Sequence, residues 1–266
     1  MSSPNRSNPP ATPEAEPFYV NYLPVPAPLR RFAWRWSIAL VLLAGATALI
    51  VSAQQEDPGT AVWNLDNVVE LEGTLIERPY PMLLRERSDG SHETILLLGE
   101  GKHGVADRVK DMNGKTVRLR GTTLAREGRR LFELVSTDDA LTVVQAEARA
   151  TSLSMSPSAA PTHPTSLKGE IIDPKCYFGA MKPGHGKAHR ACAALCLRGG
   201  IPPMFVSWSD DGIRTYHLLT QADGGPAEGR ILEYLIDHVS EPIELQGWPE
   251  QAGDLLVFRI DTSALP

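Results

Sequence analysis

The chain has little of what usually announces a function. Cysteine occurs three times in 266 residues, and an odd count leaves at least one thiol unpaired within the chain. Basic residues are not in excess: 26 Lys and Arg face 32 Asp and Glu, for a formal net charge of -6. That balance argues against nucleic acid as a partner, because phosphate binding rests on clustered Lys and Arg. The cysteines form no haem-attachment motif, since Leu197 rather than a histidine follows Cys196. No cysteine and histidine come with a legible third residue to orient them. The sequence therefore leans away from an enzyme, and no organic cofactor is expected.

Long apolar runs are scarce too, and the one present lies near the start. Residues 1–29 are rich in Pro, Ser, Asn and Ala, a composition that cannot bury enough surface to offset chain entropy. They read as a disordered tail. Arg30, Arg31 and Arg35 follow, interleaved with Phe32, Trp34 and Trp36, and then comes Ser37–Ala53, 17 residues without a charge. About 17 apolar residues is the lower limit for crossing a bilayer, so a single transmembrane helix is expected within residues 30–56. The arginines place its N-terminus in the cytoplasm and the rest of the chain in the periplasm of a bacterial inner membrane. Two alternatives stay open. Val51-Ser52-Ala53 has the small residues of a cleaved signal, and Arg30-Arg31 fits, though poorly, a twin-arginine export signal.

Beyond that helix the chain repeats itself. Leu71-Glu72-Gly73-Thr74-Leu75-Ile76 matches Leu167-Lys168-Gly169-Glu170-Ile171-Ile172, and Val117-Arg118-Leu119-Arg120-Gly121 matches Ile243-Glu244-Leu245-Gln246-Gly247. Apolar and polar residues alternate in both pairs, as in half-buried strands. Ile95–Leu98 answers to Tyr216–Leu219, and 131–135 to 255–260. Val105–Met112 and Ile231–Val239 are short helix-like stretches between the third and fourth strands of each copy. Each copy thus reads as about five strands with one short helix, a unit that resembles the OB-fold barrel; two unrelated β-sandwich fragments are the alternative. The copies span residues 62–145 and 166–262. The Ala-, Ser-, Thr- and Pro-rich linker 146–165 is expected to join them loosely.

The copies differ in one place. Gly73 and Gly121 are 48 positions apart and their counterparts Gly169 and Gly247 are 78 apart, an excess of 30 that nearly equals 173–203. The first copy has only Arg78-Pro79-Tyr80-Pro81 there. That insertion holds all three cysteines, and a loop grafted on a rigid scaffold is where function usually lies. Lys187–Leu197 has the Ala and Leu content of a helix, ended by Gly199-Gly200. On it His189, Cys192 and Cys196 share one face, and Cys176 folds back from the preceding strand. His185, in the turn before, is a substitute ligand. Three thiolates and one imidazole suit Zn(II) or Cu(I).

Lys175, Lys182, Lys187, Arg190 and Arg198 are expected to surround these sulfurs and favour their anionic form. Disulfides remain open as alternatives outside the cytoplasm: Cys176 with Cys192 or Cys196 as a staple, or a strained, labile Cys192–Cys196 bridge. Met181 and Met204 read as packing residues, and His92, His103 and His217 as surface or packing residues.

The run from Gly169 to Tyr177, then His189, Cys192-Ala193, Cys196 and Gly199-Gly200-Ile201-Pro202-Pro203, resembles a group of poorly characterised bacterial periplasmic or membrane-anchored proteins. In these, one small β-barrel carries this cysteine-histidine stretch. The resemblance covers about Leu167 to Ile260, implies an envelope location, treats the three cysteines and His189 as a unit, and brings no established activity. The resulting expectation is a mainly β protein: one transmembrane helix, then two tandem OB-like barrels, the second bearing a helical Cys/His insertion. Its leading function is a membrane-anchored periplasmic module binding copper or zinc, an accessory or assembly factor of a respiratory or electron-transfer complex. The alternatives are a thiol-disulfide redox protein using Cys192 and Cys196, or a disulfide-stapled subunit whose apolar 199–205 run docks on a membrane protein.

Overall fold

The computed structural model describes residues 25–55, 60–145, 163–209 and 211–265. Most of the expected tail and linker therefore lies outside the described residues. Helix α1 (Ala27–Ala53) is continuous over 27 residues with a hydropathy of 2.1 in its most apolar window and no buried side chain. Pro26 and Pro28 open it, where a missing N–H leaves no helical bond unmade. By length and apolarity α1 is a candidate membrane span.

The chain beyond α1 forms a second compact unit. Its first half contains β1 (Val62–Trp63), β2 (Val69–Ile76), β3 (Met82–Glu86), β4 (His92–Gly99), β5 (Thr116–Arg126), β6 (Arg129–Leu134) and β7 (Leu141–Gln145). Strands β2, β3 and β4 run as an antiparallel meander, β4 pairs in parallel with β6, and β6 and β2 both pair with β5. Those five strands close a barrel, to which β1 and β7 add along β5. The second half contains β8 (Thr165–Ile172), α2 (Arg190–Arg198), β9 (Met204–Trp208), β10 (Arg214–Thr220), α3 (Gly229–His238), β11 (Pro242–Ala252) and β12 (Leu255–Ile260). Its pairings repeat those of the first, including the parallel pair, here β10 with β12. The repeated sequence therefore folds twice into one OB-like topology.

Equivalent glycines serve the same purpose in each copy. A Cβ on Gly121 would lie 2.0 Å from the Glu133 carbonyl oxygen, and one on Gly247 would lie 2.1 Å from that of Arg259. One expectation fails. Where the second barrel has α3, the first has a single 3-10 turn at Ala106–Arg108. Asp111 takes a positive φ of 63° just beyond it, a conformation that cannot extend a right-handed helix.

Three apolar cores result: one inside each barrel and a third between them. Strand β4 shows how. Ile95 and Leu97 point into the first barrel, whereas Leu96 and Leu98 point into the seam, so period-2 alternation buries both faces. Burial of one such leucine stabilises by about 2 kcal/mol.

Some of the polar contacts across the seam come in matched pairs. Tyr80, on the short β2–β3 loop, donates to the Leu219 carbonyl at the end of β10 (2.8 Å) and accepts from the Ala227 amide (2.8 Å). Lys175, on the β8–β9 insertion, donates to the carbonyls of Gly99 (2.8 Å) and Gly101 (2.6 Å) at the end of β4. The β5–β6 turn reaches β10 through Glu127, which accepts from the Tyr216 hydroxyl at 2.6 Å. The β11–β12 turn reaches β4 through Asp254, which accepts from the Thr94 amide at 3.0 Å. Exchanging the barrels exchanges these contacts by position, as in an isologous dimer interface. The barrels are locked together rather than loosely joined.

Candidate metal centre

The insertion begins at Asp173-Pro174, directly after β8. An Asp–Pro pair is an N-cap followed by the first position of a helical turn, where proline costs no hydrogen bond. Accordingly Asp173 Oδ1 accepts from the Cys176 amide at 3.3 Å, and a widened turn runs over Cys176–Ala180, closed by the Met181 amide on the Cys176 carbonyl at 3.2 Å. The first barrel clamps this turn from outside. Arg126 donates to the Tyr177 carbonyl at 2.9 Å and lays its guanidinium 4.0 Å from the centre of the Tyr177 ring. Lys175 forms a buried ion pair with Glu133 of β6 at 2.7 Å.

Helix α2 starts at Arg190, three residues later than its composition suggests, because 187–189 form a turn with His189 as N-cap. Cys192 and Cys196 lie one turn apart on it. Gly199 ends it and also admits the first barrel: a Cβ there would lie 1.7 Å from the Lys102 carbonyl oxygen, while the Gly104 amide donates to the Gly199 carbonyl at 2.8 Å. The glycine pair read as a helix stop is equally the seat of a loop from the other barrel.

These elements bring the sulfurs of Cys176, Cys192 and Cys196 to within 4.8 Å of one another. Cys176 and Cys192 are 4.0 Å apart at sulfur, about twice the length of a disulfide bond. All three thiols are free. A second group shares one member: donor atoms of Asp173, Cys176 and His189 also lie within 4.8 Å of one another. His189 Nε2 faces Asp173 Oδ2 at 3.5 Å. Three cysteines, an aspartate and a histidine thus form one cluster able to hold a metal ion. His185 is elsewhere, its ring centre 6.0 Å from that of Tyr177.

No family model, curated protein or solved structure matches this chain.

The cation at the sulfurs is not one of those expected. Lys182, Lys187 and Arg198 are exposed, Arg190 is paired with Glu241 and the Asp237 carbonyl, and Lys175 is turned into the first barrel. Instead Lys102, on the loop after β4, donates to Cys192 Sγ at 2.6 Å and lies 3.8 Å from Cys196 Sγ. The hydrogen bond to Cys192 raises the Lys102 pKa above the ordinary lysine value despite partial burial. The Cys176 thiol is pushed up by the neighbouring Cys196 side chain, by burial and by the Asp173 charge. Burial alone would raise the Asp173 carboxyl, but His189, Cys176 and Cys196 together hold it below the usual range.

Met204 packs in the seam core and Met181 is 46 % exposed. The apolar run proposed as a docking surface is inside the protein: Ile201, Pro202, Pro203, Met204 and Phe205 are all buried. Two residues escaped the sequence reading. Asp173 carried a signal, the Asp–Pro cap immediately before Lys175-Cys176. Lys102 carried none, since it stands 90 positions from Cys192 in the copy that lacks the insertion.

Proposed function

We propose that the protein is a membrane-anchored metal-binding module that holds a soft ion, Cu(I) or Zn(II), on Cys176, Cys192 and Cys196. The observation that carries this is the convergence of three free thiols from two separate elements onto one point. Sulfurs bound to one metal at about 2.3 Å stand about 3.8 Å apart in a tetrahedral site and about 4.0 Å apart in a trigonal one. The Cys176–Cys192 separation of 4.0 Å lies at that spacing. Sulfur selects soft and borderline ions over Mg(II) or Ca(II).

Arg30, Arg31 and Arg35 at the start of α1 support a cytoplasmic N-terminus and an envelope-facing site. A tether of that kind keeps the bound ion within reach of membrane complexes, and we assign it an accessory role in metal supply to an electron-transfer complex. The test is elemental analysis and native mass of the full chain purified in detergent without chelator. Stoichiometric copper or zinc, lost in Cys192→Ser, is the expected result. A metal-free chain lighter by two hydrogens overturns the proposal in favour of a disulfide.

A further inference from the structure

The sulfur triangle does not use every donor at the site. Asp173 and His189 are 0 % and 2 % exposed, and their facing atoms, Oδ2 and Nε2, stand outside hydrogen-bond geometry at 3.5 Å. Among the described residues they face each other at ion-pair distance, without a hydrogen bond of ordinary length. A buried polar group left without a hydrogen bond costs on the order of 1–3 kcal/mol, a cost that this long contact offsets only in part and that a cation bound to both removes. Cys176, which belongs to both groups of three, is the sulfur that such an ion would share with the triangle.

We infer that the centre is binuclear, with Cys176 as a bridging thiolate. One position is the all-sulfur triangle of Cys176, Cys192 and Cys196. The other is formed by Asp173, Cys176 and His189, a mixed oxygen, sulfur and nitrogen set of the kind that suits Zn(II). Charge favours the pair. Once deprotonated, the three thiols and the Asp173 carboxylate oppose, among the described residues, the Lys102 ammonium that touches the sulfurs. A lone divalent ion leaves the buried cluster negative, whereas one monovalent ion in the triangle and one divalent ion in the mixed set bring it to neutrality. Loading releases the thiol protons to solvent.

This inference rests on the proposed metal binding, and the test separates the two. The full chain in detergent, reduced and metal-free, is titrated without oxygen by Zn(II), and by Cu(I) followed by Zn(II), with native mass spectrometry as readout. Two ions per chain are expected, including a form with one copper and one zinc. His189→Leu and Asp173→Asn retain the first ion and bind the second at least a hundredfold more weakly. Circular dichroism confirms their folding, and the asparagine of the second variant can still cap the turn.

Wild-type protein loaded with cadmium gives an independent reading: two cadmium resonances coupled to each other through the shared sulfur. Saturation at one ion, unchanged in His189→Leu, overturns the second position and leaves the single-metal reading intact. Two uncoupled cadmium resonances overturn the bridge. No stoichiometric metal overturns both.

Discussion

Lys102 and Lys175 cross the seam between the barrels in opposite directions. Lys102 leaves the first barrel to lie on the sulfurs of the second, and Lys175, next to Cys176, leaves the second to lie on Glu133 and two carbonyls of the first. The insertion and its wall are therefore one mechanical unit, and the geometry of the candidate metal centre depends on contacts made far from the cysteines in sequence.

Thiol reactivity should follow burial. Cys176 and Cys196 are 5 % and 1 % exposed, whereas Cys192 is only half-buried. In the native, reduced, metal-free chain an alkylating reagent should modify Cys192 first and the other two only after unfolding. Bound metal should protect Cys192. Peptide mapping by mass spectrometry checks this, and equal labelling of all three contradicts the geometry.

Lys175→Met should cost about 3–5 kcal/mol, because it strands Glu133 as a buried charge. Burial already raises the Glu133 carboxyl above its ordinary range even with Lys175 beside it. Lys175→Met combined with Glu133→Leu should recover most of the loss. Denaturant unfolding of the two singles and the double measures the coupling, and simple additivity would show that the pair does not interact.

Gly199→Ala places a methyl where the Lys102 carbonyl sits. A strained contact of this kind typically costs about 1–3 kcal/mol. The loop carrying Lys102 should lift, so Cys192 should be alkylated faster than in wild type. By contrast Tyr80→Phe, which removes the hydroxyl bonded to Leu219 and Ala227, should destabilise by a similar amount without changing the rate at Cys192. Identical labelling in both variants would mean that Gly199 does not seat the wall.

Stability should fall between pH 6.5 and about pH 4. Burial pulls the His217 pKa from 6.5 down to about 4, and its Nε2 lies 3.0 Å from the Ser207 hydroxyl. Across that window the unfolded chain takes up a proton that the folded chain refuses, so stability declines as pH falls, by up to about 1.4 kcal/mol per pH unit, and is independent of this residue above the window. His217→Gln should lack this component. A stability difference between wild type and variant that stays constant from pH 7 to pH 4 would refute the assignment.

Much of the fold was legible because the duplication is written as matched strands: Leu71–Ile76 with Leu167–Ile172 predicts the start of each barrel, and Gly121 with Gly247 marks the same close approach. The docking of the barrels does carry a signal in the sequence. Ile95-Leu96-Leu97-Leu98 does not alternate, and a continuous apolar strand is one buried on both faces. The placing of Cys192 and Cys196 one turn apart on a helix was legible from their spacing, whereas His189 caps that helix and is grouped with Asp173 and Cys176. Lys102 was not legible, because a contact between two copies depends on how their outer surfaces pack, and no local pattern records that.

The paired contacts across the seam give the chain the interface of a dimer without a second molecule. A wall supplied by a separate copy would come and go with protein concentration. Here the segment between Gln145 and Thr165 ties the wall to the site. Tethering of this kind holds two partners at an effective concentration on the order of millimolar, so one chain alone carries both the cysteine cluster and the wall that covers it.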